Sequence, residues 1–529
     1  MTERLGWFMN VKIQEHIKKH IRFYKAALMA LLPLCVCVIT CAVQGYAIWD
    51  AYIPASEWND ELFYYKQVEG MVKYGYPYGY FGFNESHAEV LSFAAWSPVL
   101  VFPWLILGKI FGWTLMSPVY YNIFLMMLAM VLFVLLARPK WKQLGILTIL
   151  FCVFTPFTRY MLCGMPECIC FSMLILFYGL MCRYQEEEKT WQLVAMFVIA
   201  GLLTLMRPYL ILFLLFPVGM WIRKSRWKGI IGSAVILAAI GGIYIAINHY
   251  LGAEYFTPLF RTDWLTPFLK GQLLTGIKGV FSSLYHNGRT FIALTIEGMK
   301  SGLTEGAFFA GYLALMGLFT WQAAAEFLRK NKQKAYTYAY LAFCFLAMTF
   351  ALILMYKMKE GSKHLLTFMA MGIFVLSGMT TKFYKKAMFF GVLCVYLYSV
   401  KATSSMDYQV YFANQDRVAQ VESWAEIFAS ELALKTENVP NYDNVVIWVF
   451  SDELTGTGET VLTDWQILYA LPEGFGVSCC YAEYVEENFE KLQSKYITIP
   501  AGSRLEQMCI DYEKRLVGAD DRVCVYELR

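Results

Sequence analysis

The sequence predicts a mainly α-helical protein, a polytopic bundle of about 11–13 transmembrane helices with a small extracytoplasmic α/β domain at its C-terminal end. Two observations predict this fold class. Hydrophobic residues make up 58% of the 529 residues and charged residues only 16%, whereas about a quarter of an ordinary soluble domain is charged. The charges also lie mainly in short loops and in the last part of the chain, which leaves apolar runs near the ~20 residues that span a bilayer.

Twelve apolar runs are predicted spans. The first run follows a basic arm, residues 1–25, and lacks a small-residue cleavage site, so we expect a retained span and not a signal peptide. The runs cover residues 26–48, 96–112, 116–137, 143–160, 165–182, 191–206, 208–222, 229–249, 306–327, 335–356, 364–380 and 387–402.

The basic residues predict the orientation, because short positively charged loops stay in the cytoplasm. The N-terminal arm is basic, and four further clusters lie between predicted spans. All of them are cytoplasmic if residues 96–137 cross the bilayer once, with 96–112 re-entrant or on the surface. This topology places the loops 49–95 and 250–305, and everything after residue 402, outside the cytoplasm. The clusters contain Arg138, Lys140, Lys142, Arg223, Lys224, Arg226, Lys228, Arg329, Lys330, Lys332, Lys334, Lys382, Lys385 and Lys386.

The composition divides the chain into a transmembrane domain, residues 26–403, and an extracytoplasmic α/β domain, residues 404–529. Charges occur throughout the second domain. Residues 444–450, 494–499 and 522–526 are predicted strands, and residues 416–434 and 482–493 are predicted helices. No internal repeat is visible, which weakens the case for a transporter built of inverted halves.

Two adjacent acids, Asp60 and Glu61, follow the first span by about ten residues and are flanked by aromatic side chains. Neighbouring carboxylates raise each other's pKa and serve as general base or metal ligand. The alternative is a solvated loop with interfacial Trp and Tyr anchors. The local sequence leaves both interpretations open.

The wider arrangement resembles the type-C (GT-C) glycosyltransferases, which include protein O-mannosyltransferases and bacterial aminoarabinose transferases. The resemblance covers roughly residues 20–400, through short motifs only. It rests on a basic N-terminus, many spans, and the Asp60-Glu61 pair in the first large external loop. It implies transfer of a sugar from a polyprenyl-phosphate carrier with inversion, to an extracytoplasmic acceptor in the cell envelope, with Asp60 and Glu61 as the catalytic acids.

Four further residues are expected to bind substrate. Glu167 follows a Gly164–Pro166 break, and is either a second acid over the site or a loop carboxylate in headgroup water. Arg207, before Pro208, either holds a lipid phosphate or extends to the membrane interface. Lys363 and His364 begin a late span where the resembled family has a basic-aromatic pair, so they are expected to stabilise the phosphate, although Lys363 also suits an interface anchor.

The first external loop also contains Glu85, His87 and Glu89, which together with the acids offer ligands for a divalent metal, although their spacing matches no specific metal motif. His87 is included among the expected substrate-binding residues. In the loop 250–305, Arg261, Asp263, His286 and Arg289 alternate with apolar residues, as in a helix on the membrane that serves as a lid or is purely structural.

The sequence therefore predicts a multi-pass cell-membrane enzyme, a mannosyltransferase-like glycosyltransferase whose partners are a polyprenyl-phosphate-linked sugar, membrane lipid and an external acceptor. The acceptor is a cell-wall polymer, a lipid-linked glycan or a protein. Nucleic acid is not expected as a partner, and no cofactor is required beyond the metal considered above. A nucleotide-binding loop and a zinc-protease helix are missing from the sequence. The alternative function is a transporter or flippase of a lipid-linked or polar substrate, and a third is a polysaccharide polymerase or ligase.

Overall fold

The computed structural model describes most of the chain. The described residues are 2–55, 60–78, 80–85, 98–251, 264–301, 304–355, 362–379, 414–436, 441–450, 452–453, 460–461 and 463–529. The predicted span 387–402, and His87, Glu89, Arg261 and Asp263, lie outside these residues.

Helices dominate the part before residue 380. The first nine are α1 (Thr2–Val43), α2 (Asp60–Tyr74), α3 (Phe102–Phe111), α4 (Ser117–Ala137), α5 (Trp141–Val153), α6 (Thr155–Met161), α7 (Glu167–Glu187), α8 (Thr190–Met206) and α9 (Leu215–Lys224). The next six are α10 (Arg226–Leu251), α11 (Leu265–Leu269), α12 (Leu273–Ser301), α13 (Thr304–Leu328), α14 (Lys332–Met355) and α15 (Ser362–Gly378).

Five helices within the described ranges are long and apolar enough to cross a membrane. These are His20–Val43 within α1, and α4, α7, α10 and α14. The fold class is thus confirmed as a bundle of apolar helices. The helix α3 has 10 residues and, at 1.5 Å per residue, covers only about half of a hydrocarbon core.

Two predicted runs differ in detail from the structure. The run 143–160 is not one helix, because it divides between α5 and α6 at Phe154, just before Pro156. A proline in a helix interior removes a hydrogen bond and breaks the helix. The run 208–222 begins as a 3₁₀ segment, Pro208–Leu214, before α9. The segment 250–305 contains a helix, as its alternating pattern predicts, namely the 29-residue α12. Asn287 Nδ2 of this helix donates to Ile353 O of α14 at 2.7 Å.

The C-terminal part is a small α/β domain, as the sequence predicts. A six-stranded sheet has the order β1-β5-β2-β6-β8-β7. Its strands are β1 (Tyr80–Phe83), β2 (Val445–Val449), β5 (Gly476–Cys480), β6 (Tyr496–Pro500), β7 (Arg515–Ala519) and β8 (Val523–Glu527), with a separate pair β3 (Asp452–Glu453) and β4 (Thr460–Val461). Its helices are α16 (Gln415–Glu431), α17 (Ala482–Asn488) and α18 (Arg504–Asp511).

The sheet is buried on both faces, since alternate side chains of β2 pack into different clusters. Ile447 and Val449 pack with residues of α17 and α18. Val446 and Trp448 belong to the large core that continues through α16 and α2 into the helical bundle. The sheet domain is therefore packed directly on the membrane-embedded part.

The segment between the first span and α3 supplies a strand to this sheet, which the sequence did not indicate. The strand β1 pairs in parallel with β5, with Tyr80 opposite Val477 and Phe83 opposite Cys479. The chain between α2 and β1 folds back closely, because a Cβ added at Gly70 would lie 2.3 Å from Tyr78 O. Through this return, α2 is held between the bundle and the sheet.

Candidate active site

The expected catalytic acids begin a helix and do not lie in a solvated loop. Asp60 and Glu61 form the first turn of α2, where carboxylates are stabilised by the positive end of the helix dipole. Adjacent helical residues point about 100° apart. The two carboxylates consequently have different neighbours.

Glu61 is fully buried. Its Oε2 accepts a hydrogen bond from the backbone N–H of Gly164 at 3.1 Å. A Cβ added at Gly164 would lie 3.0 Å from the same oxygen. The close approach of the two chain segments therefore favours glycine at this position, and the hydrogen bond holds the Glu61 carboxylate beside the loop that precedes α7.

Asp60 is partly exposed and faces a different group of residues. Tyr64, one helical turn after Asp60, is buried and interacts electrostatically with Asp60, Arg207 and Glu167. Residues four apart lie on the same face of a helix. Tyr64 thus lies near both the acid of α2 and the cation at the end of α8.

Arg207 and Glu167 form a buried ion pair. Arg207 Nη2 donates to Glu167 Oε1, and the two residues are 2% and 5% exposed. Arg207 ends α8 in an extended conformation before Pro208, and Glu167 begins α7 after Pro166. The structure thus places Glu167 in the protein interior and not in headgroup water, and Arg207 does not extend to the interface.

The pair has unused hydrogen-bonding capacity. Glu167 Oε2 is buried, and no partner for it occurs in the described part of the chain. A buried carboxylate oxygen without a partner is costly. A polar group of a bound molecule would remove that cost.

His364 is also buried and joins the Arg207 cluster through Tyr209. Its Nδ1 lies 3.2 Å from the Tyr209 hydroxyl, and the two rings meet edge to face. Tyr209 in turn interacts electrostatically with Arg207. Lys363 is the second residue of α15, but the structure does not describe its side chain. Asp60, Glu167, Arg207 and His364 therefore lie near one another, whereas Glu61 is held at the Gly164 loop just before α7.

Asn122 is an important residue of this region that sequence reasoning missed. It is fully buried in α4, and its Oδ1 accepts from Trp104 Nε1 at 3.1 Å. Its Nδ2 lies 3.0, 3.1 and 3.3 Å from the carbonyl oxygens of Tyr160, Cys163 and Met165. One amide thus holds the loop whose Gly164 binds Glu61. An isolated Asn near the start of an apolar run gave no signal of this role.

Glu85 has a structural role that argues against its use as a metal ligand. Its carboxylate accepts from the backbone N–H groups of Gln493, at 3.0 and 3.1 Å, and Ser494, at 2.5 Å. These bonds fix the end of β1 against the loop before β6. Within the described ranges, no group of three His, Cys, Asp or Glu side chains is arranged to hold a metal ion.

The sheet domain covers the acids. Phe63 and Trp448 have ring centroids 6.0 Å apart, and Tyr65 and Tyr469 meet edge to face at 5.4 Å. Cys479 of β5 interacts electrostatically with Asp60. Burial raises the pKa of the Tyr65 and Tyr469 hydroxyls, so both remain neutral at physiological pH.

Comparison with known proteins finds two solved structures that are distantly similar to this chain. No protein-family model and no curated protein matches the chain. ArnT from Cupriavidus metallidurans in the apo state is 10% identical with a TM-score of 0.44, over 95% of this chain and 97% of that chain. The same protein bound to undecaprenyl phosphate is 10% identical with a TM-score of 0.42, over 95% and 98%. At such low identity we base the function on this chain's own residues.

Proposed function

We propose that this protein is an inverting membrane glycosyltransferase that moves a sugar from a polyprenyl-phosphate carrier to an extracytoplasmic acceptor. One observation carries the proposal. The buried Arg207–Glu167 pair, at the ends of two apolar helices, lies near Tyr64 and Asp60 of α2. A cation beside a general base, next to lipid, is what transfer from a lipid phosphate requires.

The chemistry follows from these positions. Asp60 takes the proton of the acceptor hydroxyl, whose oxygen attacks the anomeric carbon of the sugar. The bond from that carbon to the phosphate oxygen breaks, and the electron pair leaves with the polyprenyl phosphate. Arg207, with Lys363 and His364, stabilises the charge that develops on the phosphate. Glu61 is held by Gly164 and orients the acceptor.

The distribution of charge along the helices favours an enzyme over a transporter or flippase. A transport pathway places ionisable groups near the middle of spans. Here Glu167 begins α7 and Arg207 ends α8, whereas the Arg183–Glu187 ion pair lies at the opposite end of α7. We assign the acid-bearing end to the outside of the cell and the Arg183 end to the cytoplasm, in agreement with the basic clusters.

The test is transfer by the full-length protein in nanodiscs, with a radiolabelled polyprenyl-phosphate sugar and a solubilised cell-envelope fraction as acceptor source. Wild type should release carrier phosphate and label the acceptor, and Asp60→Asn should abolish both while retaining the wild-type melting temperature. Glu426→Gln, an exposed acid of α16, is the matched control and should remain active. Full activity of Asp60→Asn would refute its role, and lipid flux in liposomes without any transfer would favour the flippase.

A further inference from the structure

Tyr469 brings a hydroxyl group from the sheet domain into the acid site. It lies in the 3₁₀ segment Gln466–Ala470, and it is 6% exposed. Its ring contacts Tyr65 of α2, and its hydroxyl interacts electrostatically with Glu61. This residue was not among those that the sequence indicated.

The Tyr469 hydroxyl is buried without a hydrogen-bond partner in the part of the chain that the structure describes. Buried tyrosine hydroxyls normally find a partner, because an unpaired one has lost its bonds to water. Tyr312 of α13 shows the ordinary case, since its hydroxyl donates to Phe345 O at 2.8 Å. The unpaired hydroxyl therefore indicates a position completed by a bound molecule.

The two faces of α2 indicate whether the bound molecule is the carrier-linked sugar or the acceptor. Asp60 and Tyr64 lie on the face directed at Arg207 and Glu167, where we place the carrier phosphate. Glu61 and Tyr65 lie on the neighbouring face, and their partners are Gly164 and Tyr469. Tyr469 thus lies beside a face of α2 that is turned about 100° from the face of Asp60 and Tyr64.

We propose that Tyr469 is a specificity-determining residue that hydrogen-bonds to a hydroxyl-bearing acceptor between α2 and the sheet domain. This inference rests on the proposed function. The hydroxyl of Tyr469 and the carboxylate of Glu61 hold the acceptor from one side, which brings its reacting hydroxyl to Asp60. The sheet domain thereby selects the acceptor, while the helical bundle binds the carrier.

The experiment compares Tyr469→Phe with the matched variant Tyr312→Phe, each in the full-length protein. Removing an unpaired hydroxyl leaves the melting temperature of the ligand-free protein unchanged or raised, whereas Tyr312→Phe lowers it. Tyr469→Phe should raise the amount of envelope fraction needed for half-saturation by about 3- to 10-fold, because one hydrogen bond to the acceptor is lost. The KM for the carrier-linked sugar, and the slow transfer to water without acceptor, should stay at wild-type values. Tyr312→Phe should change none of these kinetic values.

Binding is measured separately from transfer, as the rise in melting temperature that the envelope fraction causes. A rise in wild type that is reduced in Tyr469→Phe supports the inference even if no transfer occurs, in which case only the proposed function fails. Lower ligand-free stability of Tyr469→Phe with unchanged acceptor saturation would overturn the inference. A change in the carrier KM alone would also overturn it, because the hydroxyl would then act on the phosphate side.

Discussion

Two ion pairs, Lys66–Glu69 and Arg207–Glu167, differ in how many of their polar atoms have hydrogen-bond partners. In the Lys66–Glu69 pair, Lys66 Nζ lies 2.8 Å from Glu69 Oε2 and 3.5 Å from Leu471 O, so the cation joins α2 to the sheet domain. In the Arg207–Glu167 pair, a carboxylate oxygen remains without a partner among the described residues. Both cations are almost completely buried.

The difference separates a structural ion pair from one suited to a ligand. Burial of charge is costly, and a closed pair offsets the cost only through its own hydrogen bonds. The Lys66 pair does so by bonding a backbone carbonyl of the sheet domain. The Arg207 pair leaves a carboxylate oxygen that a hydroxyl group of a bound sugar would fill as hydrogen-bond donor. The two pairs should therefore respond differently to the same replacements.

The largest effect is expected at Arg207. Arg207→Met should lower transfer by about 10²- to 10³-fold through loss of charge stabilisation. It should also lower the free energy of unfolding by about 3–5 kcal/mol, because Glu167 is left buried without its cation. The double variant Arg207→Met/Glu167→Leu should recover stability but not transfer. Recovery of transfer in the double variant would show that the pair is only structural.

The Lys66 pair should give the opposite result for transfer, because its double variant should remain active. Lys66→Met should lower the free energy of unfolding by about 3–5 kcal/mol. The double variant Lys66→Met/Glu69→Leu should recover stability and keep transfer within about twofold of wild type, since apolar residues can replace a closed pair. Chemical denaturation and the transfer assay measure both quantities. Persistent inactivity of this stable double variant would assign the pair to the site.

A smaller effect is expected at Asn122, which supports the acid site from a distance. Asn122→Asp replaces an amide donor by a carboxylate facing three carbonyl oxygens, and should lower the free energy of unfolding by about 1–3 kcal/mol. Transfer should fall about tenfold at saturating substrate, as expected when Gly164 no longer holds Glu61 accurately. The control is Asn488→Asp, whose amide donates to a single carbonyl, that of Tyr484, in α17. Equal effects of the two variants on kcat would contradict the positioning role.

The smallest effect concerns the pH dependence of stability. Burial raises the pKa of Glu69, and the Lys66 charge opposes this only in part. The folded protein therefore binds a proton more tightly at Glu69 than the unfolded chain does. Stability from this group is present below pH about 4.5 and is lost as the pH rises toward the folded pKa. Glu69→Gln should flatten this part of the melting-temperature profile, whereas an unchanged slope would assign it to another group.

The sequence predicted the elements of the sheet domain better than their partners. The strands β2, β6 and β8 and the helices α16 and α17 lie within a few residues of their predicted positions, because their apolar patterns are local. The strand β1 was missed, since it is four residues long and its partner β5 lies almost four hundred residues later. Strand pairing at such a distance leaves no periodic signal.

The same contrast applies to the candidate site. Asp60 was predicted as a site residue because two adjacent acids follow the first span, and Glu167 and Arg207 because a charge between apolar runs is conspicuous. The arrangement of the site was not predictable, because it depends on contacts between distant parts of the chain. The hydrogen bond between Glu61 and Gly164, for example, joins residues 103 positions apart. Tyr469 and Asn122 look like ordinary interior residues in the sequence. Their importance depends on whether each polar atom has a partner, which only coordinates reveal.

The pairing of β1 with β5 also determines when the sheet can be completed during synthesis. The backbone N–H of Glu85 donates to Ser478 Oγ, and the two residues are 393 positions apart in the chain. The residues of β1 therefore have no strand to pair with until nearly all of the polypeptide has been synthesised. Contacts of such separation form late in folding. The last segment of the chain supplies the domain that covers the acids of α2. A truncated chain would therefore insert its helices into the bilayer but lack this cover.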